Sequence, residues 1–231
     1  MTTPQVISPD PLAGLAPPMR WLLTRAALEE PALELVDPAG SLESLYNACL
    51  TKEHFSSAIR LIAGVLPTRE SIWWAWVSVR YATQADGGKA PTAAEHDALT
   101  AVEQWVVRPE DAARRKAWDA GNEAGLDSPI GIVTAAVFLS GTTLGPPGGT
   151  PVPPPPGVAM PLVAGAITLA GMSTSKAETI PPTLAAFAAQ GLEIVKRLGS
   201  WDAALKLAHD THQRAQAEYD RATAAAAPAA R

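Results

Sequence analysis

Cysteine, basic clusters and long apolar runs are what this 231-residue chain most lacks. Cys49 is the only cysteine, so no intramolecular disulfide can form and nothing implies an oxidising compartment. It shares helical spacing with Leu42, Leu45 and Tyr46, which reads as core packing rather than as a redox or nucleophilic thiol. Charged residues make up 18% of the chain, below the roughly 25% of an average globular protein. The net charge is -5 and no dense Lys/Arg run appears. Neutralising a phosphate backbone needs a basic face, so nucleic acid is not an expected partner. No apolar stretch reaches the roughly 20 residues that span a bilayer. The opening M-T-T-P-Q-V-I-S-P-D-P lacks the basic and apolar regions of a signal peptide, which makes the cytoplasm the expected address.

Catalytic signatures are missing too. The chain has no H-E-x-x-H, no G-x-S-x-G, no phosphate loop and no dinucleotide fingerprint, and no cofactor is expected. Gly87-Gly88-Lys89 lacks both the earlier glycine and the following Ser/Thr of a phosphate loop, and reads as a turn. The nearest approach to a metal site is H-D-T-H, where His209 and His212 lie one helical turn apart with Asp210 and Glu218 nearby. Two imidazoles fall short of the three or four ligands of a dependable site, so no metal is expected. His54 and His96 fall in first helical turns and read as surface residues. They would be the residues to examine if the chain were an enzyme without familiar motifs.

What the chain does have is tryptophan. Three of its seven lie at Trp73, Trp74 and Trp76, inside P-T-R-E-S-I-W-W-A-W-V-S-V-R-Y-A (67–82). Thr68 can cap this helix, and Glu70 sits where the positive end of the helix dipole favours an acid. From Ile72 to Ala82 apolar residues point in nearly every direction, interrupted only by Ser78 and Arg80, which predicts a central helix. Each ring can bury roughly 150 to 250 Å² at about 25 cal/mol per Å². The rival reading leaves part of the aromatic face open to a partner, with Trp74 and Tyr81 as its exposed aromatics.

The rest of the chain reads as further helices. Residues 18–36 predict one or two short ones, broken near Glu30 by Pro31. Ser41 caps a helix ending near Leu50, and Thr51 opens another whose Phe55, Ala58, Ile59, Ile62, Val65 and Leu66 form a 3.6-residue stripe. Asp86-Gly87-Gly88 marks a polar turn. P-T-A-A-E is a capping box between Thr92 and Glu95, opening a helix that turns Leu99, Val102, Trp105 and Val106 inward. The helix after Pro109 carries Glu110 with Arg114 and Asp111 with Arg115 as i,i+4 pairs, which reads as a solvated face.

Between Asp127 and Lys176 the chain has no charged residue. Ser128-Pro129 starts one apolar helix and a second runs from about Ala159 to Met172. Both are too short to span a membrane, and the reading favoured is two buried core helices, with a peripheral membrane hairpin as the minor alternative. G-T-T-L-G-P-P-G-G-T-P-V-P-P-P-P-G (141–157) joins them and cannot be helical. Pro151 to Pro156 predict an extended, polyproline-like segment. It either crosses its own domain or offers Pro153, Pro154, Pro155 and Pro156 to an aromatic groove on a partner. Pro181-Pro182 opens a helix, Gly199 ends it, and Ser200 caps the last one. In that last helix Trp201, Leu205, Ala208, His212, Ala215, Tyr219 and Ala222 alternate at spacings of four and three, a weak heptad-like seam. The helix is expected to dock near Trp201 and Leu205 and then to project.

The fold class is therefore all-α: a single globular domain of about eight to ten helices with a proline-rich crossing segment. The organisation is a loose arm over 1–17, a helical domain over 18–199 and a last helix with a loose end over 200–231.

A-I-R-L-I-A-G-V-L-P-T-R-E-S-I-W-W-A-W, with A-G-L-D-S-P-I-G, F-L-S-G-T-T-L-G-P-P-G and V-P-P-P-P downstream, resembles an uncharacterised bacterial family, domain of unknown function 6931. The resemblance runs from about Pro31 to Gly199, and leaves the last helix outside it. It implies a non-catalytic accessory role beside components of type VI secretion in Gram-negative bacteria, and supplies no catalytic residues. The function expected on this reading is an adaptor that binds another protein, with components of a secretion apparatus among its expected partners.

Overall fold

Prolines and short polar caps cut the chain into helices, and the apolar faces between them decide how those helices assemble. The computed structural model describes residues 10–84, 90–173 and 176–226. Eleven α-helices and no strand occur among the described residues, in one compact helical domain. The expected turn at Asp86-Gly87-Gly88 lies outside them, as do residues 1–9 of the expected arm and the last five residues.

The first four helices are α1 (Pro17–Ala26), α2 (Glu30–Leu33), α3 (Leu42–Thr51) and α4 (Phe55–Val65). Proline fits the first turn of a helix, where its missing N–H would have no partner. Pro31 accordingly sits inside the start of α2 rather than at the break, which comes earlier, where Ala27 adopts φ 48°. Residues 10–16 are tied to α1, since Asp10 accepts from Arg20 at 2.7 Å and Arg20 donates to the Leu12 carbonyl at 3.1 Å. Thr51 closes α3 instead of opening the next helix, and the chain turns at Glu53 with φ 60° before α4 begins.

The tryptophan helix is α5 (Thr68–Gln84), followed by α6 (Ala93–Val107) and α7 (Asp111–Ala124). The capping box of α6 forms in both directions between Thr92 and Glu95. The two uncharged helices are α8 (Pro129–Leu139) and α9 (Ala159–Met172), then come α10 (Ile180–Arg197) and α11 (Trp201–Ala226). Ser128 and Ser200 cap α8 and α11 through bonds from the Gly131 and Ala203 amides. Gly199, at φ 110°, makes the left-handed turn between α10 and α11 that a side chain would strain.

α9 packs on α4, α5, α8 and α10, and α8 on α6 and α7, so the uncharged hairpin lies inside the domain. That position explains its composition, because an unpaired charge there would be desolvated. No helix among the described residues is long and apolar enough to cross a membrane. α4 is as central as α5, a role its striped sequence understates. Ser57, Ala58, Ala63 and Gly64 are small enough to bury the faces between its larger residues, and a Cβ at Gly64 would fall 2.2 Å from Leu22. α5 buries most of its circumference but leaves a strip at Trp73, Arg80 and Tyr81 exposed. Trp76 Nε1 donates to the Leu99 carbonyl at 2.9 Å and the Tyr46 hydroxyl to the Ala188 carbonyl at 3.2 Å, whereas the buried Trp21 and Trp201 Nε1 groups meet no hydrogen-bond partner among the described residues. Cys49 is fully buried, and burial pushes its thiol up to about 11, which removes thiolate chemistry at neutral pH.

Candidate functional site

The 140–158 segment has no regular structure, and arginines hold it at both ends. Its first half doubles back, with the Leu144 amide donating to the Val152 carbonyl at 2.7 Å and the Thr143 hydroxyl accepting from the Val152 amide at 2.8 Å. Arg114 Nη2 donates to the Thr143 carbonyl at 2.8 Å and Arg115 Nη2 to the Gly145 carbonyl at 2.6 Å. Arg114 is only 3% exposed, so the expected solvated face on α7 is instead a buried clamp, because neutral backbone carbonyls of the insert need donors. Glu110 does not pair with Arg114; Asp111 takes that role. At the far end Arg25 donates to the Pro156 carbonyl. The following Gly157 takes φ 77°, and a Cβ there would approach the Arg25 guanidinium to 2.5 Å.

Held in this way, the prolines form one wall of a cleft of about 630 Å³. The opposite wall is α11, through Ala208, His212, Ala215 and Tyr219, and the floor comes from Trp21 of α1 and the α4–α5 junction. The seam expected on α11 packs over most of its length: Trp201 and Leu205 are buried, Ala208, His212, Ala215 and Tyr219 are half-buried along the cleft, and Ala222 is exposed. Pro153, Pro154 and Pro156 are half-buried and Pro155 is exposed, all four lining the cleft. The segment thus crosses its own domain and still presents a surface.

Among the described residues only two formal charges line the cleft, Arg25 and Glu218. Ser71 and Ser140 donate to carbonyls within their own helical turns, so neither hydroxyl is offered to an imidazole. The walls otherwise offer aliphatic, aromatic and proline surface, which favours binding an apolar partner over assembling a nucleophile.

The two histidines of H-D-T-H have a packing role here. Both lie against Trp21, with ring centroids at 5.4 Å for His209 and 5.2 Å for His212. Among the described residues no group of three His, Cys, Asp or Glu is placed to hold a metal ion. Burial, then the charges of Arg25 and His209, holds the His212 imidazole below the usual histidine range. A base whose folded-state pKa is depressed stabilises the fold above its unfolded pKa and loses that contribution as pH falls. Calorimetry from about pH 7.5 to about pH 5.5 should show the wild-type melting temperature falling more steeply than that of His212→Gln. Equal slopes would remove His212 as the cause.

The other sequence candidates separate. Trp74, expected among the exposed aromatics, is only 1% exposed; its Nε1 donates to the Phe187 carbonyl at 3.0 Å, and it is unavailable to a partner. Tyr81 is 53% exposed and meets Phe187 edge-on at 5.9 Å, on the α5 strip rather than in the cleft. Trp73, at 39%, is the exposed tryptophan of that helix. His96 is exposed and His54 half-buried, and neither lines the cleft. Sequence reasoning missed Trp21 and Arg25. Their i,i+4 spacing, in a chain whose longest uncharged segment must borrow donors from elsewhere, was the available signal.

A family of unknown function (DUF6931) matches residues 45–195. No curated protein and no solved structure matches the chain.

Proposed function

Since the chain belongs to this family of unknown function (DUF6931), which lends it no activity, we propose on structural grounds that it is a non-catalytic accessory protein whose cleft receives a helix of a partner protein. The cleft itself carries this reading: a proline wall and a helical wall stand apart with about 630 Å³ between them. Ala208, His212, Ala215 and Tyr219 follow one another on α11 at four, three and four residues, the spacing that receives another helix. Arg25 at one part of the cleft and Glu218 further along α11 favour a partner helix with an acid and a base in the matching order. The prolines lose little conformational entropy when they are covered, which suits them to one side of such a contact. The resemblance noted from the R-E-S-I-W-W motif adds a partner class, a cytoplasmic component of a type VI secretion assembly.

The test is photo-crosslinking from position 215 in the native cells. One discrete protein adduct is expected, lost when Pro153 to Pro156 are replaced by Ala-Gly-Ser-Gly and when Tyr219→Asp is introduced. No adduct, or an adduct indifferent to both changes, would overturn the reading.

A further inference from the structure

A second, smaller pocket of about 260 Å³ lies between the end of α1 and one face of α9. Two guanidinium groups line it, Arg25 and Arg60, and among the described residues no acidic one does. Neither arginine forms an ion pair among the described residues. Arg25 spends one nitrogen on the Pro156 carbonyl, and Arg60 spends Nη1 on the Ala26 and Ala27 carbonyls that end α1. A guanidinium carries five N–H donors, so most of this donor capacity is unused. Burial pulls the Arg25 guanidinium below its ordinary value, as expected of a cation desolvated without a counter-ion.

Two hydroxyls add to the set. Ser56 and Thr168 line the pocket, and neither side-chain hydroxyl makes a hydrogen bond among the described residues. Thr24, Thr51 and Thr183, by contrast, donate back to carbonyls four residues earlier in the chain. The remaining wall is apolar, from Met160, Leu169 and Met172. Gly165 lines the same pocket, and a Cβ built on it would meet nothing within 4 Å. Glycine is a poor helix former, and here no neighbour requires it, so what its missing side chain leaves is open space.

We propose that this pocket binds the oxyanion head of a small ligand, a carboxylate or a phosphate, whose short apolar body rests on Met160, Leu169 and Met172. Guanidinium and hydroxyl donors lining one pocket can supply charge-assisted hydrogen bonds of the kind that select such a head. The pocket adjoins the partner cleft, and Arg25 and Met160 border both.

The whole chain, labelled with 15N-arginine, would be titrated with hexanoate, hexyl phosphate and hexanol while the Nε–Hε resonances are followed. Saturable shifts at Arg25 and Arg60 are expected with at least one anion, while exposed Arg197 stays still. Whichever anion saturates assigns the head group. Gly165→Leu fills the open space without touching a donor and should weaken binding at least tenfold, with an unchanged or higher melting temperature showing that it folds. Arg60→Gln should weaken it comparably. No saturation with either anion, equal shifts with hexanol, or unimpaired binding by folded Gly165→Leu would overturn the proposal. Crosslinking from position 215 should survive Gly165→Leu, which keeps this outcome distinct from that of the partner cleft.

Discussion

Trp74→Ala is expected to lower the unfolding free energy by about 3–5 kcal/mol, read from urea denaturation monitored by circular dichroism. The side chain is 1% exposed at the place where α5 meets α10. The fit depends on Gly191, because a Cβ there would lie 2.6 Å from the Trp74 ring and 2.8 Å from Ile62. Glycine on α10 therefore lets the indole close against the opposing backbone, and removing the ring leaves a void that rigid helices fill poorly. Trp74→Phe separates packing from hydrogen bonding. It keeps most of the apolar contact and gives up the bond from Nε1 to the Phe187 carbonyl, a loss of about 1 kcal/mol beyond that of the smaller ring. If Trp74→Ala cost no more than an exposed substitution, α5 would not be part of the core.

Trp74 also shows where reading from sequence succeeds and where it stops. That 67–82 forms a largely buried helix was legible, because only a helix with neighbours on most sides tolerates so many large apolar residues. The narrow strip left open was not legible, since it depends on where α10 crosses, and so Trp73 rather than Trp74 came out exposed. The uncharged helices were readable to within a residue, as Ser128, Pro129 and the proline run mark their ends by chemistry that acts locally. The cleft was readable only by halves. The prolines and the α11 seam each announce themselves, but their facing positions follow from contacts distant in sequence, such as Arg25 with Pro156. Arg114 misled for a related reason: i,i+4 charge pairing usually marks a wet face, and nothing local to α7 says that a carbonyl-rich loop will cover it.

Arg114→Ala is accordingly the other change with a large expected effect, about 3 kcal/mol from the loss of buried hydrogen bonds to charge and of the packing along its stem. Arg114 donates to the Phe138 and Thr143 carbonyls and, through Nε, to Asp111 at 3.0 Å. Its guanidinium also lies 4.8 Å from the Phe138 ring centre, and Phe138 in turn stacks on Trp118 at 4.7 Å. Gly141 lets the insert pass over it, since a Cβ there would fall 2.4 Å from Arg114 Nε. Lysine cannot reproduce this fork, so Arg114→Lys should recover less than half of the loss. Asp111 is 53% exposed, and Asp111→Asn should cost at most about 1 kcal/mol. The change that matters for function is local. Without the clamp, amide hydrogen exchange at Leu144 should accelerate, because its bond to the Val152 carbonyl closes the loop that Arg114 secures. The proline wall follows directly from that loop, so the crosslink from position 215 should fall with it. Unchanged exchange at Leu144 in Arg114→Ala would mean that Arg115 and Arg25 hold the wall without Arg114.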